Sequence, residues 1–533
     1  MSNSETRVAP KFRQRSVVAL WLVAAFVLAG CGQSAGTGAK SRLAAEAQAG
    51  VAADDPYAAS VARDILAAKA SAADAAVALA LTMTVTQGAA ASLGGGGICA
   101  VFDGPTGAAE TLEFLPRRAA AGGPVAVPGL VRGLAALHAR YGRLPWARLV
   151  EPAEDAARVG RPVSRTLARN IAAVVPTQAG AGLRRVFARL DGRPIAEGDG
   201  LAQVELSSSL GVIKARGGGD LYNGFLARQY VDAAGRAGGG ITMTDMRDYV
   251  PVWREAAKVK LGTYTVATAP LPVNGGLIAA QMWAMLADGD RYAKATADEI
   301  PHLLAESSLR AYDDVGNVEG GSRQISSFRA HALMQNYDPN AHVGRVGAGG
   351  DAVTPAPYLG ADGASSFVVA DNDGSAVACI LTMGRTFGIG WWDPVTGIIP
   401  AVAADAEAFA AYLGPMLVIQ NAPDQIVFAA AATGRIGAPA AMVQTGIAVV
   451  AGKRSIVEAL EAPRLLHAGS PDRVLVEPGH KGGAALARRG HALAEFGPIG
   501  FVNALSCPKG LGRASGGCFF ASDYRGSGLQ LAP

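Results

Sequence analysis

Two adjacent hydroxyls, Ser365 and Ser366, stand at the head of the segment ASSFVVADNDGSAVACILTMGRTFGIG, residues 364–390. A serine hydroxyl at such a place can attack an amide carbonyl once a base takes its proton. Other chemistries have less support. The cysteines have neither CxxC nor Cys/His spacing, and the seven histidines are scattered along the chain, so the spacing gives no metal cluster. The four glycines Gly94–Gly97 sit between a helical stretch and a strand-like ICAVFD. A P-loop runs strand, loop, helix and carries a Lys, so nucleotide binding is excluded on order and composition.

The elements that must position Ser365 and Ser366 are legible nearby. FVVADNDGSAVACILTM holds two apolar, β-rich runs around Asp-Asn-Asp-Gly, which predicts a hairpin with residue 364 or 365 at the start of a central strand. Residues Tyr57 to Val85 are alanine-rich and helical in pattern, with Asp74 interrupting the apolar stretch from Ala72 to Leu81. Val127-Pro128-Gly129 and Leu144-Pro145-Trp146 read as turns that start helices, because Pro presets φ for the first helical position.

The ends and the composition set the compartment. Arg7, Lys11, Arg13 and Arg15 precede an apolar run from Ser16 to Ala29, and the run ends in Leu28-Ala29-Gly30-Cys31. Residues 1–30 therefore read as a lipoprotein signal peptide, with Cys31 as the lipidation site. Gly32 follows the cysteine, which favours the outer membrane, facing the periplasm of a bacterial envelope. Residues 31–54 are rich in Gly, Ala and Ser and are expected to be a flexible tether. Half of the residues are apolar, 17% are charged and the net charge is +4, which predicts a large core and no nucleic-acid partner. Cys99 and Cys379 lie in apolar runs and are expected as small buried hydrophobes. Cys507 and Cys518 flank PKGLGRASGG and are expected to close a loop in an oxidising compartment.

The whole of this pattern resembles the γ-glutamyltranspeptidases. Residues 364–390 are similar to that family's TTHxSVxDxxGNAVxxTxTxNxxFGxG. SAADAAVALALTMTVTQGAAASLGGGGICAVFD, Val125 to Ser164, GGGITMTDMRDYV, Pro270 to Gly276, Leu460 to Gly479 and Ser522 to Gly528 match further family motifs in the right order. The resemblance implies an α+β, N-terminal-nucleophile hydrolase fold, a four-layer αββα sandwich. Residues 55–363 would be large-subunit-like and 364–533 small-subunit-like, in one intertwined domain. It also implies γ-glutamyl hydrolysis or transfer, with glutathione as the typical donor and no cofactor.

Position by position, the resemblance raises a conflict. Ala364 falls on the family's self-cleaving nucleophilic Thr, and a methyl group can neither cleave nor attack. Ser365 falls on the second Thr and is the candidate nucleophile, with Ser366 behind it. Using Ser365 requires a bulge, because successive side chains of a strand point to opposite faces. Thr382 matches a Thr that the family keeps near its nucleophile, and Gly384 replaces an Asn. Thr433 and Gly434 stand where the family has its oxyanion glycines. The carboxylate-binding Arg becomes Leu115, leaving Arg117 and Arg118 as substitutes or as solvated surface groups. The amine-binding groups become Ala403 and Ala406, with Asp405 between them, and the family's Ser-Ser pair before the strand that contains Met416 is not evident. Two outcomes follow: an amidase of altered specificity acting on a small amide or peptide, or an uncut, non-catalytic binding or scaffold protein.

Overall fold

The computed structural model describes residues 45–175, 180–316, 326–344, 363–403, 412–512 and 516–533. The signal segment and Cys31 lie outside the described residues. Two seven-stranded antiparallel sheets dominate, with their strands numbered here in chain order. One runs β14 (Leu529–Leu531), β2 (Gly50–Ala53), β8 (Ala364–Ala370), β9 (Ala376–Thr382), β3 (Gly96–Asp103), β4 (Ala108–Phe114), β5 (Val252–Glu255). The other runs β1 (Ala45–Ala47), β13 (Cys518–Ser522), β12 (Phe501–Ser506), β11 (Gln425–Thr433), β10 (Met416–Gln420), β7 (Tyr264–Thr268), β6 (Ala257–Leu261).

The pleat sorts side chains into layers. On β8, Val368 and Ala370 join Ala378 and Ile380 of β9 and meet Ala429, Ala431 and Leu505 of the facing sheet. Phe367 and Val369 point the other way, into a cluster with the helices α1 (Pro56–Ala67), α2 (Ala72–Thr86), α3 (Leu130–Tyr141) and α4 (Trp146–Val159). A smaller cluster holds α5 (Arg165–Val174) against Phe187 and Phe387. Beyond the second sheet lie α6 (Asn274–Ala287), α7 (Ile300–Gly316) and α8 (Ala438–Val450). The expected αββα sandwich is therefore the observed one.

The predicted hairpin is β8–β9, and Ala364 is the first residue of its first strand. Its turn is tied to α2. The Asp371 carboxylate accepts backbone N–H groups from Asp373 at 2.9 Å, Ser375 at 3.0 Å and Ala72 at 2.9 Å. Next to that contact, Ser71 and Asp74 form a capping box. Asp74 is fully buried and also accepts the N–H groups of Arg143 and Leu144, so the residue that interrupts the apolar stretch anchors a loop as well as a helix end.

Two sequence expectations are corrected. The segment expected as a tether to residue 54 becomes sheet from Ala45 onward, and β2 is buried between β14 and β8. Its small residues serve close packing: a Cβ on Gly50 would lie 2.7 Å from the Phe520 ring. Cys99 and Cys379 are not free thiols. They oppose one another in the β3–β9 register, with Cα atoms 4.1 Å apart, and form a disulfide. The expected Cys507–Cys518 disulfide is present. No helix among the described residues is long and apolar enough to cross a membrane.

Asp74→Ala would leave two buried loop N–H groups without an acceptor and remove the α2 cap. We expect a loss of roughly 3 kcal/mol in urea unfolding, with Asp74→Asn losing less. A loss under about 0.5 kcal/mol, the scale of a neutral surface change, would show that the anchor carries no weight.

Candidate active site

Entry into β8 is set by Gly363. Its φ is +61°, and a Cβ there would lie 2.1 Å from the Arg385 backbone carbonyl, so the turn requires glycine. From Ala364↔Thr382 to Ala370↔Ala376 the β8–β9 register is unbroken. The bulge that would carry Ser365 onto the face of residue 364 is therefore not present. Ala364 packs with the cluster between the sheets, whereas Ser365 shares the alternation of Phe367 and Val369.

The hydroxyls are held by one carboxylate. Ser365 Oγ donates to Asp54 Oδ2 at 3.0 Å, and the Ser366 backbone N–H donates to the same oxygen at 2.7 Å. From β12 of the facing sheet, Asn503 Nδ2 donates to Asp54 Oδ1 at 2.6 Å, to Ser366 Oγ at 2.9 Å and to the Ser366 carbonyl at 3.0 Å. Ser366 is fully buried in this lattice. Nothing in the sequence pattern pointed to Asp54, because it closed the segment read as a tether.

Ala364, Ser365 and Thr433 are brought together on the wall of one cavity of about 330 Å³, with Asp54, Gln87 and Arg169. Thr433 ends β11, and Gly434, with φ +109°, begins the turn into α8. A Cβ on Gly434 would lie 2.7 Å from the Gly500 backbone. Thr382 stands beside Ala364 across the strand pair, and its Oγ1 accepts the Gly384 N–H at 3.0 Å.

Among the described residues, Leu115, Arg117, Arg118 and Ala403 do not line this cavity. Leu115 is buried in the core between the sheets, and its carbonyl accepts the Tyr249 hydroxyl at 2.8 Å. The Arg117 guanidinium stacks on the Tyr249 ring, 4.6 Å from its centroid, and Arg118 is exposed; neither lines the cavity. Ala403 is buried, its N–H donating to the Pro124 carbonyl at 2.8 Å. Asp405 and Ala406 lie outside the described residues.

The cavity instead takes polar groups from helical segments that sequence reasoning missed. Arg169 of α5 reaches Ser527 Oγ at 3.3 Å. Gln87, which is 1% exposed, donates through Nε2 to Asp55 at 3.2 Å and to Ser164 Oγ at 2.9 Å. Those bonds fix the amide orientation and turn Oε1 away, and Oε1 meets no hydrogen-bond partner among the described residues. Burial pushes the Asp55 carboxyl up from the ordinary carboxylate range, with N–H and O–H donors from Ala58, Thr86 and Gln87 opposing the shift. The histidine reading is also corrected: the fold gathers His302, His342, His467 and His491, so they are not scattered in space.

Comparison with known proteins agrees with this fold. The family described as Gamma-glutamyltranspeptidase matches residues 58–407. Glutathione hydrolase proenzyme of Escherichia coli (strain K12) is 27% identical over 486 aligned residues, covering 80% of this chain and 82% of that protein. Glutathione hydrolase 3 of Arabidopsis thaliana is 32% identical over 292 residues, 51% of this chain, and the match spans 44% of the plant protein. A crystal structure of cephalosporin acylase from Bacillus halodurans has the same fold, with a TM-score of 0.78 and 24% identity over 92% of this chain and 97% of that one. The chain belongs to the gamma-glutamyltranspeptidase family.

Proposed function

We propose that this protein no longer performs self-cleaving γ-glutamyl transfer and instead holds a small amide or peptide in the cavity beside position 364, as a lipid-anchored component of the bacterial envelope. One observation carries the reading. The residue at the head of β8 is Ala364, and the unbroken register keeps the neighbouring hydroxyl on the opposite face. The family reaction needs a side-chain nucleophile there and a freed α-amine as its base.

The surroundings support the same reading. A γ-glutamyl head group carries a carboxylate and an ammonium, and burying either without a partner costs several kcal/mol. Leu115 and Ala403 offer neither with a charged partner. Arg169 offers a cation at the cavity wall. The export signal, Cys31 and two disulfides fit an oxidising compartment outside the cytoplasm.

A second reading rests on the 3.0 Å contact between Ser365 Oγ and Asp54. A hydroxyl that already donates to a carboxylate can lose its proton to it on attack, with no chain cleavage needed. Under this reading the protein is an uncut amidase with Ser365 as nucleophile and Asp54 as base. Turnover of any amide that both Ser365→Ala and Asp54→Asn abolish, while the cavity still binds that amide, would establish it.

The wild-type protein is expected to run as one polypeptide on a reducing denaturing gel, with the intact mass of an uncut chain. It is also expected to release no product from a chromogenic γ-glutamyl anilide. A fragment whose amino terminus is residue 364 or 365 would overturn the proposal. Ala364→Thr returns a hydroxyl to the face toward Thr433, and we expect it to gain self-cleavage, with a new amino terminus at residue 364. Terminal sequencing of the smaller fragment checks this. A folded variant that stays whole would show that more than the side chain has been lost.

A further inference from the structure

We infer that His302, Glu306, His342 and His491 form a site for one divalent cation of the zinc class. Three observations carry the inference: the convergence of donor atoms, their burial, and the outer partners that aim the His302, His342 and Glu306 donors inward.

His302 and Glu306 are four residues apart on α7, so they share a helix face. His491 arrives from the turn after Gly483–Arg488, and His342 from the loop after Asp338. His302 and Glu306 are fully buried and His491 is 5% exposed. One donor atom each from His302, Glu306 and His491 lies within 4.8 Å of the other two. His302 Nδ1 and His491 Nε2 are 2.7 Å apart, and His491 Nε2 is 3.7 Å from Glu306 Oε1. His342 Nδ1 is 2.6 Å from the same Glu306 oxygen. Ligand atoms around a tetrahedral ion with bonds of about 2.0–2.1 Å are roughly 3.3 Å apart. The three observed separations fall on both sides of that value.

The outer contacts select which atom of the His302 and His342 rings can coordinate. His302 Nε2 faces the Asp338 carbonyl at 2.8 Å. A carbonyl only accepts, so Nε2 carries the proton and Nδ1 presents its lone pair to the centre. His342 Nε2 faces Asp472 Oδ1 at 3.0 Å, which leaves Nδ1 for the centre. The second oxygen of Glu306 is held by the Arg310 guanidinium. Such outer-sphere partners orient metal ligands. His467 belongs to this outer set: its Nδ1 accepts the Gly469 N–H and its Nε2 donates to Asp472. Three imidazoles and one carboxylate favour zinc, cobalt or nickel over magnesium or calcium. Uptake would displace the proton between His342 Nδ1 and Glu306, while the single proton of His491 would move from Nε2 to Nδ1 to free its lone pair, so one proton is released for each ion bound.

The test begins with the wild-type protein, freed of ions by a chelator and then titrated with zinc chloride. We expect about one zinc per chain by elemental mass spectrometry after dialysis, with proton release and a raised melting temperature. Cobalt chloride in place of zinc should give the visible spectrum of a tetrahedral nitrogen/oxygen site. Asp472→Asn leaves the buried ligands in place and should weaken zinc roughly 10–100-fold, as expected for loss of an outer-sphere partner. His331→Gln, at an exposed histidine outside the cluster, should change nothing. Folded wild-type protein that takes up no stoichiometric zinc would overturn the site, leaving a metal-free network of shared protons. Uptake lost in His331→Gln, or undiminished in a folded His491→Asn variant, would overturn it equally.

Discussion

The carboxylate of Asp54 joins the two sheets beside residue 364. One oxygen takes the Ser365 hydroxyl and the Ser366 N–H from β8, and the other takes the Asn503 amide from β12. The Asp54 backbone N–H also donates to the Ser366 carbonyl at 3.2 Å, so β2, β8 and β12 meet at one residue. Asp54 is half-buried, and the donors that stabilise its carboxylate come from both layers of the sandwich. This arrangement fixes where residue 364 sits and which way each following side chain points. It also engages the hydroxyl groups of Ser365 and Ser366 in hydrogen bonds.

The scaffold features implied by the family resemblance are retained in this member of the gamma-glutamyltranspeptidase family. The hairpin, the glycine-rich approach to β3, the buried α2 and the turn at Thr433-Gly434 are all in place. Each is held by backbone hydrogen bonds and packing of small residues, which do not depend on a nucleophile. Leu115 and Ala403 pack into the surrounding core.

Much of the fold was legible in the sequence, for local reasons. Asp-Asn-Asp-Gly between two apolar runs specifies a hairpin whatever surrounds it, and it located the strand that begins at Ala364. What escaped notice was encoded over long distances. Residues 45–53 have the composition of a linker, but their small side chains fit beneath Phe520, which only the assembled sheet reveals. Cys99 and Cys379 are 280 residues apart, and a register rather than a spacing makes them neighbours. His302 and His491 are separated by 189 residues and meet only because α7 packs beside the last third of the chain. Gln87 and Arg169 sit in helical segments where their side chains look like ordinary polar decoration, so nothing local marked them as cavity walls.

The bridge between Cys99 and Cys379 has a topological consequence. Position 364 falls inside the loop of chain that this bridge closes. A break in the backbone there would not release two pieces, because the sulfur link would still hold the halves as one covalent body. For this molecule, then, scission and dissociation are different events. Only an environment that reduces the bridge could turn the first into the second.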